Sequence, residues 1–279
     1  MRQPEHREIT RRAVAELFRA HPSVRMGALS EGGYFQAVNR AQAYQDRPFD
    51  RRTLLGPTLH PGTWNPGVQR AHALADPRRS GADNLGLVKE YVLAELLAAT
   101  AGGRAEMVHL GAAVHAVQDS YSGAHTWRGD AVYGGDPNAP VQSLNVFHPV
   151  LRDTHDQRFD RPPLESGTVS AAVRATTELL AVYEFDRAAG GSSGLHQLID
   201  RLFQPDTRGV GVNLRAGRAW QQERDRRLGL ESHFRTADDQ QVHFPRARIE
   251  RSRRSNRLSR DRRPRPRDHD PSREHDREP

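Results

Sequence analysis

Three side chains that commonly bind metals stand close together in the segment EMVHLGAAVHAVQDSYSGAHTWR, residues 106–128. They are His115, Asp119 and His125, in the pattern H-x3-D-x5-H. On a helix, His115 and Asp119 lie one turn apart on the same face, where their side chains meet. His125 follows a break at Gly123 and can turn back toward the same point. Imidazole nitrogens and carboxylate oxygens are ligands that zinc takes in proteins, so this spacing predicts a metal site.

The amino-acid composition restricts which groups can hold that metal. The chain of 279 residues contains no cysteine, which excludes disulfides and thiolate ligands. Histidine, aspartate, glutamate, the backbone or water must therefore supply the ligands. A His–Asp pair one turn apart is also compatible with an ordinary hydrogen bond, and the third histidine favours the metal.

The same segment resembles the signature of a known enzyme family. LGAAVHAVQDSYSGAH is similar to the core-helix motif of the zinc-dependent phospholipases C and of the fungal single-strand nucleases that share their fold. That motif reads LG-x2-LH-x2-QD, followed by a short turn and a histidine. It matches this chain at Leu110, Gly111, His115, Gln118, Asp119 and His125. The resemblance implies an all-α fold, a cluster of three zinc ions in which the motif aspartate bridges two, and hydrolysis of phosphodiester bonds.

Further zinc ligands are implied by this resemblance, which outside the motif is limited to scattered positions. His6 stands in a His-x2-Ile-x3-Ala pattern similar to that of the family's first helix. Asp46 and His60 have a separation similar to that of an Asp–His pair in one family zinc site. His72 is an alternative to His60, because Asp76 follows it at the i+4 position. The choice between His60 and His72 stays open.

The last ligands are expected in the segment LNVFHPVLRDTHDQRFD, residues 144–160. His148 is the favoured histidine, and its partner carboxylate is Asp153, Asp156 or Asp160. Asp153 is also a candidate general base, because an ionised carboxylate beside a metal-bound water helps to remove its proton.

Two features depart from the family pattern. No His-x3-Glu or His-x3-Asp pair occurs in the last segment. Met1 stands where family members begin with a tryptophan whose amino group and carbonyl bind zinc. These departures keep a third interpretation open, in which the chain is a non-catalytic helical domain that retains a partial metal site.

Hydrophobic periodicity predicts the helices that position these residues. The expected helices cover residues 4–20, 34–44, 83–100, 105–120, 168–187 and 195–203. Asp83 is a candidate N-cap, and residues 126–145 are interpreted as a long polar loop that shapes one wall of a cleft. The predicted fold is all-α, a multi-helix bundle similar to the phospholipase C/nuclease fold, with long loops and a disordered basic C-terminal tail.

The positive charge is concentrated at the C-terminal end. The chain has a net charge of +7, and residues 246–278 contain 13 arginines against 7 acidic residues. This composition does not support a packed core. We therefore expect a metal-dependent hydrolase-like domain at residues 1–208, a poorly defined extension at 209–245 and a disordered Arg-rich tail at 246–279.

The favoured function is a zinc-dependent phosphodiester hydrolase, most similar to phospholipase C. Two or three zinc ions would activate a water for attack on phosphorus, with Asp119 and Asp153 as the catalytic carboxylates. The alternative is a single-strand nuclease, for which Tyr121, Trp127 and Tyr133 offer aromatic rings for base stacking. The residues do not separate these two substrates.

The expected partners and location follow from the same interpretation. The substrate is a phospholipid headgroup or a single-stranded nucleic acid, the first with peripheral contact to a membrane, and no obligate protein partner is expected. No apolar run of membrane-spanning length occurs in the sequence. The segment MRQPEHREITRR lacks the apolar stretch of a secretory signal. We therefore expect a cytoplasmic protein or one that is secreted by a signal-independent route.

Overall fold

A computed structural model of the chain describes residues 3–22, 29–45, 66–76, 79–146 and 161–213. This part of the chain is mainly helical, at about 65 % of its residues, with seven α-helices and a small three-stranded sheet. The helices are α1 (Gln3–Ala20), α2 (Glu31–Gln45), α3 (Pro66–Ala71), α4 (Gly81–Thr100), α5 (Glu106–Asp119), α6 (Gly167–Ala189) and α7 (Ser193–Leu202). The strands are β1 (Thr126–Arg128), β2 (Val141–Asn145) and β3 (Gly211–Asn213).

Each helix expected from periodicity is present in the structure, with ends that differ by at most three residues. The predicted N-cap of α4 is wrong, because Ser80 caps this helix. Its Oγ accepts a hydrogen bond from the backbone N–H of Asp83 over 3.1 Å, so Asp83 lies in the first turn of the helix. Periodicity does not predict the short helix α3, because a helix of one to two turns is too short to show a hydrophobic period.

Helix α5 is the central element of the fold. Every residue from Leu110 to Asp119 is buried, and the largest contacts of α5 are with α2 and α4. Gly111 lets α2 approach closely, since a Cβ atom at this position would lie 2.5 Å from the Cβ of Ala41 and 2.7 Å from the backbone nitrogen of Gln42. The polar side chains in this buried stretch must have hydrogen-bond partners or bind a ligand, because unpaired polar groups are costly in a core.

The sheet corrects the prediction of a long polar loop at residues 126–145. This stretch contains β1, a 3₁₀ helix at Asp130–Gly134 and β2. β1 pairs with β2 antiparallel, and β2 pairs with β3 in parallel. The chain is therefore mainly helical rather than purely α. The strands have three to five residues each, and β3 comes from a distant part of the sequence, so local pattern does not reveal them.

Arg128 connects the sheet to the end of α5. Its guanidinium is buried and donates to the carbonyl oxygens of Ser120, Ala139 and Leu202 over 2.8–2.9 Å. It also lies over the ring of Tyr121, 4.2 Å from the ring centroid. These contacts hold the residue after Asp119 against β1 and thereby fix the C-terminal end of α5.

Some predictions concern parts of the chain that the structure does not describe. Apart from residues 209–213, the expected extension and the Arg-rich tail lie outside the described residues, so the domain limits stay predictions. Within the described ranges, no helix combines the length and apolar character needed to span a membrane.

Candidate metal centre

The C-terminal half of α5 brings His115 and Asp119 together as their spacing predicts. Both side chains are fully buried. Nε2 of His115 lies 3.0 Å from Oδ2 of Asp119. Helix periodicity alone produces this pair, because side chains at i and i+4 share one face.

Two more histidines reach the same carboxylate oxygen from turns. His125 follows α5, where its backbone N–H donates to the carbonyl of Ser122 over 2.9 Å and closes a tight turn. Its Nδ1 lies 3.5 Å from Oδ2 of Asp119. His72 follows α3, and its Nδ1 lies 2.9 Å from Oδ2 of Asp119 and 3.0 Å from Nε2 of His115.

The other carboxylate oxygen of Asp119 faces His6 in α1. Nε2 of His6 lies 3.2 Å from Oδ1 of Asp119, and both side chains are fully buried. The two atoms are close enough for an ion pair when His6 is protonated, but among the described residues this nitrogen makes no hydrogen bond of good geometry. The rings of His6 and His115 are adjacent, with centroids 4.5 Å apart.

These residues form two overlapping triads that could hold a metal ion. One triad consists of His6, His115 and Asp119, and the other of His72, Asp119 and His125. In each triad the ligand atoms lie within 4.8 Å of one another. Tetrahedral zinc with bonds of about 2.0–2.2 Å sets its ligand atoms about 3.3–3.6 Å apart. The observed separations are therefore close to those that metal binding requires.

Burial and charge favour the protonation states that a metal needs. Burial lowers the pKa of His6, and the charge of His115 lowers it further, so the neutral imidazole is favoured. Burial alone would raise the pKa of Asp119. The protonated forms of His125 and His115 would lie beside it, and their positive charge outweighs burial and holds the pKa of this carboxyl well below its usual range. A neutral imidazole and an ionised carboxylate are the forms that bind metals.

A backbone carbonyl and the sheet fix the His72–His125 side of the centre. Nδ1 of His125 lies 2.7 Å from the carbonyl oxygen of His72. A carbonyl only accepts hydrogen bonds, so Nδ1 carries the proton and Nε2 carries the lone pair of the neutral ring. The backbone of Asn145 in β2 bonds to the segments that carry both histidines. Its N–H donates to the carbonyl of His125, and its carbonyl accepts from the N–H of Ala75, which lies three residues after His72.

The remaining predicted ligands cannot be placed in the same way. The following residues lie outside the described ranges: Met1, Asp46, His60, His148, Asp153, Asp156 and Asp160. Of the two alternatives His60 and His72, the structure brings His72 to Asp119, and His60 is not described. Asp76 is buried but belongs to neither triad, and its carboxylate lies 3.9 Å from Nε of Arg79.

Sequence reasoning misses the polar residues that support His6. Thr10, Gln42 and Thr176 are buried and form hydrogen bonds with one another or with Gln118. They come from three different helices, so their proximity carries no local signal. Only Thr10 could have been inferred from the sequence, because it lies one helical turn after His6 on the same face of α1.

Comparisons of the chain with protein-family models, with curated proteins and with solved structures found no match. They identify no family, so the likeness to the phospholipase C/nuclease family depends on the motif at residues 110–125 and on scattered positions outside it. The structure shows a buried cluster of histidines around one aspartate in a mainly helical protein. Its two overlapping triads could hold a metal ion.

Proposed function

We propose that the protein is a zinc-dependent phosphodiester hydrolase similar to phospholipase C, with two or three zinc ions at this centre. The observation that carries the proposal is the position of Asp119. Its Oδ1 faces His6 at 3.2 Å, and its Oδ2 faces His72 and His115 at 2.9 and 3.0 Å. A carboxylate with histidine nitrogens close to both of its oxygens is suited to bridge two metal ions, which is the role that the family resemblance gives to this residue.

The donor set supports zinc as the metal. All ligands in the two triads are imidazole nitrogens or carboxylate oxygens, and the chain has no cysteine. The cluster is almost fully withdrawn from water, and a bare histidine nitrogen that faces a carboxylate in such a place is costly without a cation. Nε2 of His6 is an atom of this kind among the described residues.

Zinc bound at this centre would lower the pKa of a coordinated water toward neutrality and neutralise charge on a phosphoryl oxygen. Asp119 holds the two sides of the centre at a fixed separation. His72 has 14 % of its side chain exposed, whereas His6 and His115 have none. The substrate phosphate should therefore approach from the side of His72. In this proposal His148 is a further metal ligand and Asp153 is the general base.

A phospholipid headgroup is favoured over a single-stranded nucleic acid. A single-strand nuclease needs aromatic rings that are free to stack on bases. Tyr121 and Trp127 have only 2 % and 3 % of their surface exposed. The hydroxyl of Tyr121 donates to the carbonyl of Pro137, and Arg128 covers its ring. Two of the three aromatic residues that the sequence offers for stacking are thus part of the core.

The test is hydrolysis by the full chain after removal of metal and reloading with zinc. The substrates are bis(p-nitrophenyl) phosphate, phosphatidylcholine vesicles and single-stranded DNA. We expect zinc-dependent release of phosphocholine, and a loss of at least about 100-fold in Asp119→Asn, since removal of a ligand exceeds the 10- to 100-fold cost of removing an outer partner. The matched control Asp83→Asn, at an exposed position in α4, should keep full activity.

Other results would decide against the proposal in distinct ways. Zinc-dependent cleavage of DNA without lipid hydrolysis would replace the substrate by a single-stranded nucleic acid. Zinc binding without hydrolysis of any of the three substrates would indicate the non-catalytic domain. Equal activity in Asp119→Asn and wild type would show that this centre does not perform the reaction.

A further inference from the structure

Four uncharged polar side chains form a network beside His6 that the proposed hydrolysis does not require. They are Thr10 in α1, Gln42 in α2, Gln118 in α5 and Thr176 in α6. At least 98 % of each residue is buried. Groups of this kind are costly in a core unless every hydrogen bond is made, so a network that joins four helices has a specific arrangement.

The orientation of the Gln118 amide is set by Thr176. The hydroxyl of Thr176 donates to the carbonyl of Ala172 over 2.7 Å, one turn earlier in α6. Its oxygen is then an acceptor for Nε2 of Gln118, which lies 3.3 Å away. The amide nitrogen of Gln118 therefore points toward α6, and its Oε1 points the other way, toward His6.

Thr10 sets the orientation of the second amide by the same logic. Its oxygen accepts a hydrogen bond from Nε2 of Gln118 over 3.0 Å. Its proton is then donated to Oε1 of Gln42 over 2.7 Å. Nε2 of Gln42 consequently faces Oε1 of Gln118, to which it donates a short hydrogen bond.

This chain of hydrogen bonds ends at His6. Nδ1 of His6 lies 2.8 Å from Oε1 of Gln118. An amide oxygen only accepts, so the proton of the neutral imidazole belongs on Nδ1 and the lone pair on Nε2. That lone pair faces Oδ1 of Asp119 at 3.2 Å in a fully buried place. Two acceptors at this distance repel unless a cation lies between them.

The opposite arrangement fits the geometry less well. Nε2 of Gln42 also lies 3.0 Å from Nδ1 of His6 and could donate to it. The proton of His6 would then be on Nε2, beside Asp119. The direction of that N–H does not give a hydrogen bond to the carboxylate, and Nε2 has no other partner among the described residues.

We propose that Gln118 is a positioning residue, held by Thr10, Gln42 and Thr176, that keeps the proton of His6 on Nδ1 and presents a bare Nε2 to a metal ion at Oδ1 of Asp119. The inference rests on the proposed metal centre. Gln118, which precedes Asp119 in the motif, thereby has a defined structural role. Thr10, Gln42 and Thr176, which lie outside the motif, hold its side-chain amide in the required orientation.

The first test is made on the metal-free protein and does not depend on zinc. Two-dimensional NMR of the ¹⁵N-labelled chain separates protonated from bare imidazole nitrogens, and His6→Gln identifies the signals of His6. We expect a protonated Nδ1 and a bare Nε2 at neutral pH. A proton on Nε2 would overturn the inference whether or not the protein binds zinc.

The second test measures zinc affinity by competition with a chromophoric chelator. Loss of an outer partner of a metal-bound histidine weakens binding by about 10- to 100-fold. We expect a loss in this range for Gln118→Leu, and a smaller loss for Thr176→Val, which changes only a hydroxyl to a methyl. The control Thr177→Val removes a hydroxyl from the next residue of α6. This hydroxyl lies within hydrogen-bond distance of Val173, Ala13 and Glu16 rather than of the network, so the variant should bind zinc like the wild type.

The outcomes separate this inference from the proposed function. Because Gln118→Leu removes buried hydrogen bonds, folding of each variant is checked by circular dichroism, and Thr176→Val decides if the leucine variant does not fold. Wild-type zinc affinity in a folded Thr176→Val protein, with equal affinity in any folded Gln118→Leu protein, would overturn the inference and leave the hydrolase intact. Absence of zinc binding in the wild type would overturn both.

Discussion

The two sides of Asp119 are built in different ways. The helical side consists of His6 and the network of Thr10, Gln42, Gln118 and Thr176, all of it buried and contributed by long helices. The turn side consists of His72 and His125, which follow the ends of α3 and α5. It is held by backbone carbonyls and by the sheet.

This difference suggests a division of labour within the centre. Side-chain hydrogen bonds between packed helices hold His6 in place and exclude water. Backbone hydrogen bonds around short turns hold His72 and His125 while leaving part of His72 exposed. The proposed hydrolytic centre needs both properties, because its side chains must be held in place and its substrate must reach them.

Equivalent truncations on the two sides of Asp119 should have unequal effects on the stability of the protein. In the metal-free protein, His6→Ala should lower the free energy of unfolding by about 2–4 kcal/mol, since it leaves a cavity and unpaired amides. His72→Ala should cost about 1 kcal/mol, because water can replace a partly exposed side chain. Urea denaturation in the presence of a chelator measures both values. A larger loss for His72→Ala would invert the comparison.

Close packing between α2 and α5 supports the helical side. Gly111→Ala should lower the free energy of unfolding by about 1–3 kcal/mol, because the new methyl group would overlap Ala41 and the backbone of Gln42. The control Gly86→Ala, in α4, adds a methyl group where no atom lies within 4 Å. It should be neutral or stabilising by up to about 1 kcal/mol. Equal thermal stability of the two variants would contradict the close approach.

Acid should destabilise the metal-free protein through His6. The pKa of His6 is lowered from its ordinary value of 6.5 by burial and by the charge of His115. The folded protein therefore favours neutral His6, and this stability is present above pH 6.5 and is lost as the pH falls below it. The loss approaches about 1.4 kcal/mol per pH unit in that window. Metal-free protein should show this slope in urea denaturation, and His6→Gln should flatten it. An unchanged slope in the variant would contradict this assignment.

The smallest expected effect lies on the turn side, at Ala73. Its φ is 51°, a left-handed conformation that glycine adopts without strain. Ala73→Gly should raise the free energy of unfolding by about 0.5–1 kcal/mol. Ala71→Gly, two residues earlier in α3, should lower it by a similar amount, because glycine disfavours a helix. Shifts of the same sign in thermal melts would show that the turn beside His72 is not strained.

The same contrast explains what the sequence predicts. The helices follow from hydrophobic periodicity, and the i, i+4 spacing is sufficient to place His115 against Asp119. His125 lies close to this pair in sequence, so a short turn is enough to bring it back. These are local relationships, which a sequence pattern contains.

The parts that the sequence does not predict depend on distant contacts. The network around His6 joins residues as far apart as Thr10 and Gln118. β3 pairs with β2 although α6 and α7 stand between them in the sequence. Sequence does not decide between His60 and His72, because His60 has the expected separation from Asp46 and His72 has Asp76 one helical turn later. Tertiary packing brings His72 to Asp119, and His60 lies outside the described residues. The cap at Ser80 escapes sequence reasoning because Asp83 is also a good capping residue.

The most direct test of a metal centre bridged by Asp119 is X-ray diffraction from zinc-loaded crystals at the zinc absorption edge. We expect at least two anomalous peaks, one in contact with Oδ1 of Asp119 beside His6 and one in contact with Oδ2 beside His72. A map with no peak at this carboxylate, or with a single peak bound to one oxygen only, would contradict it.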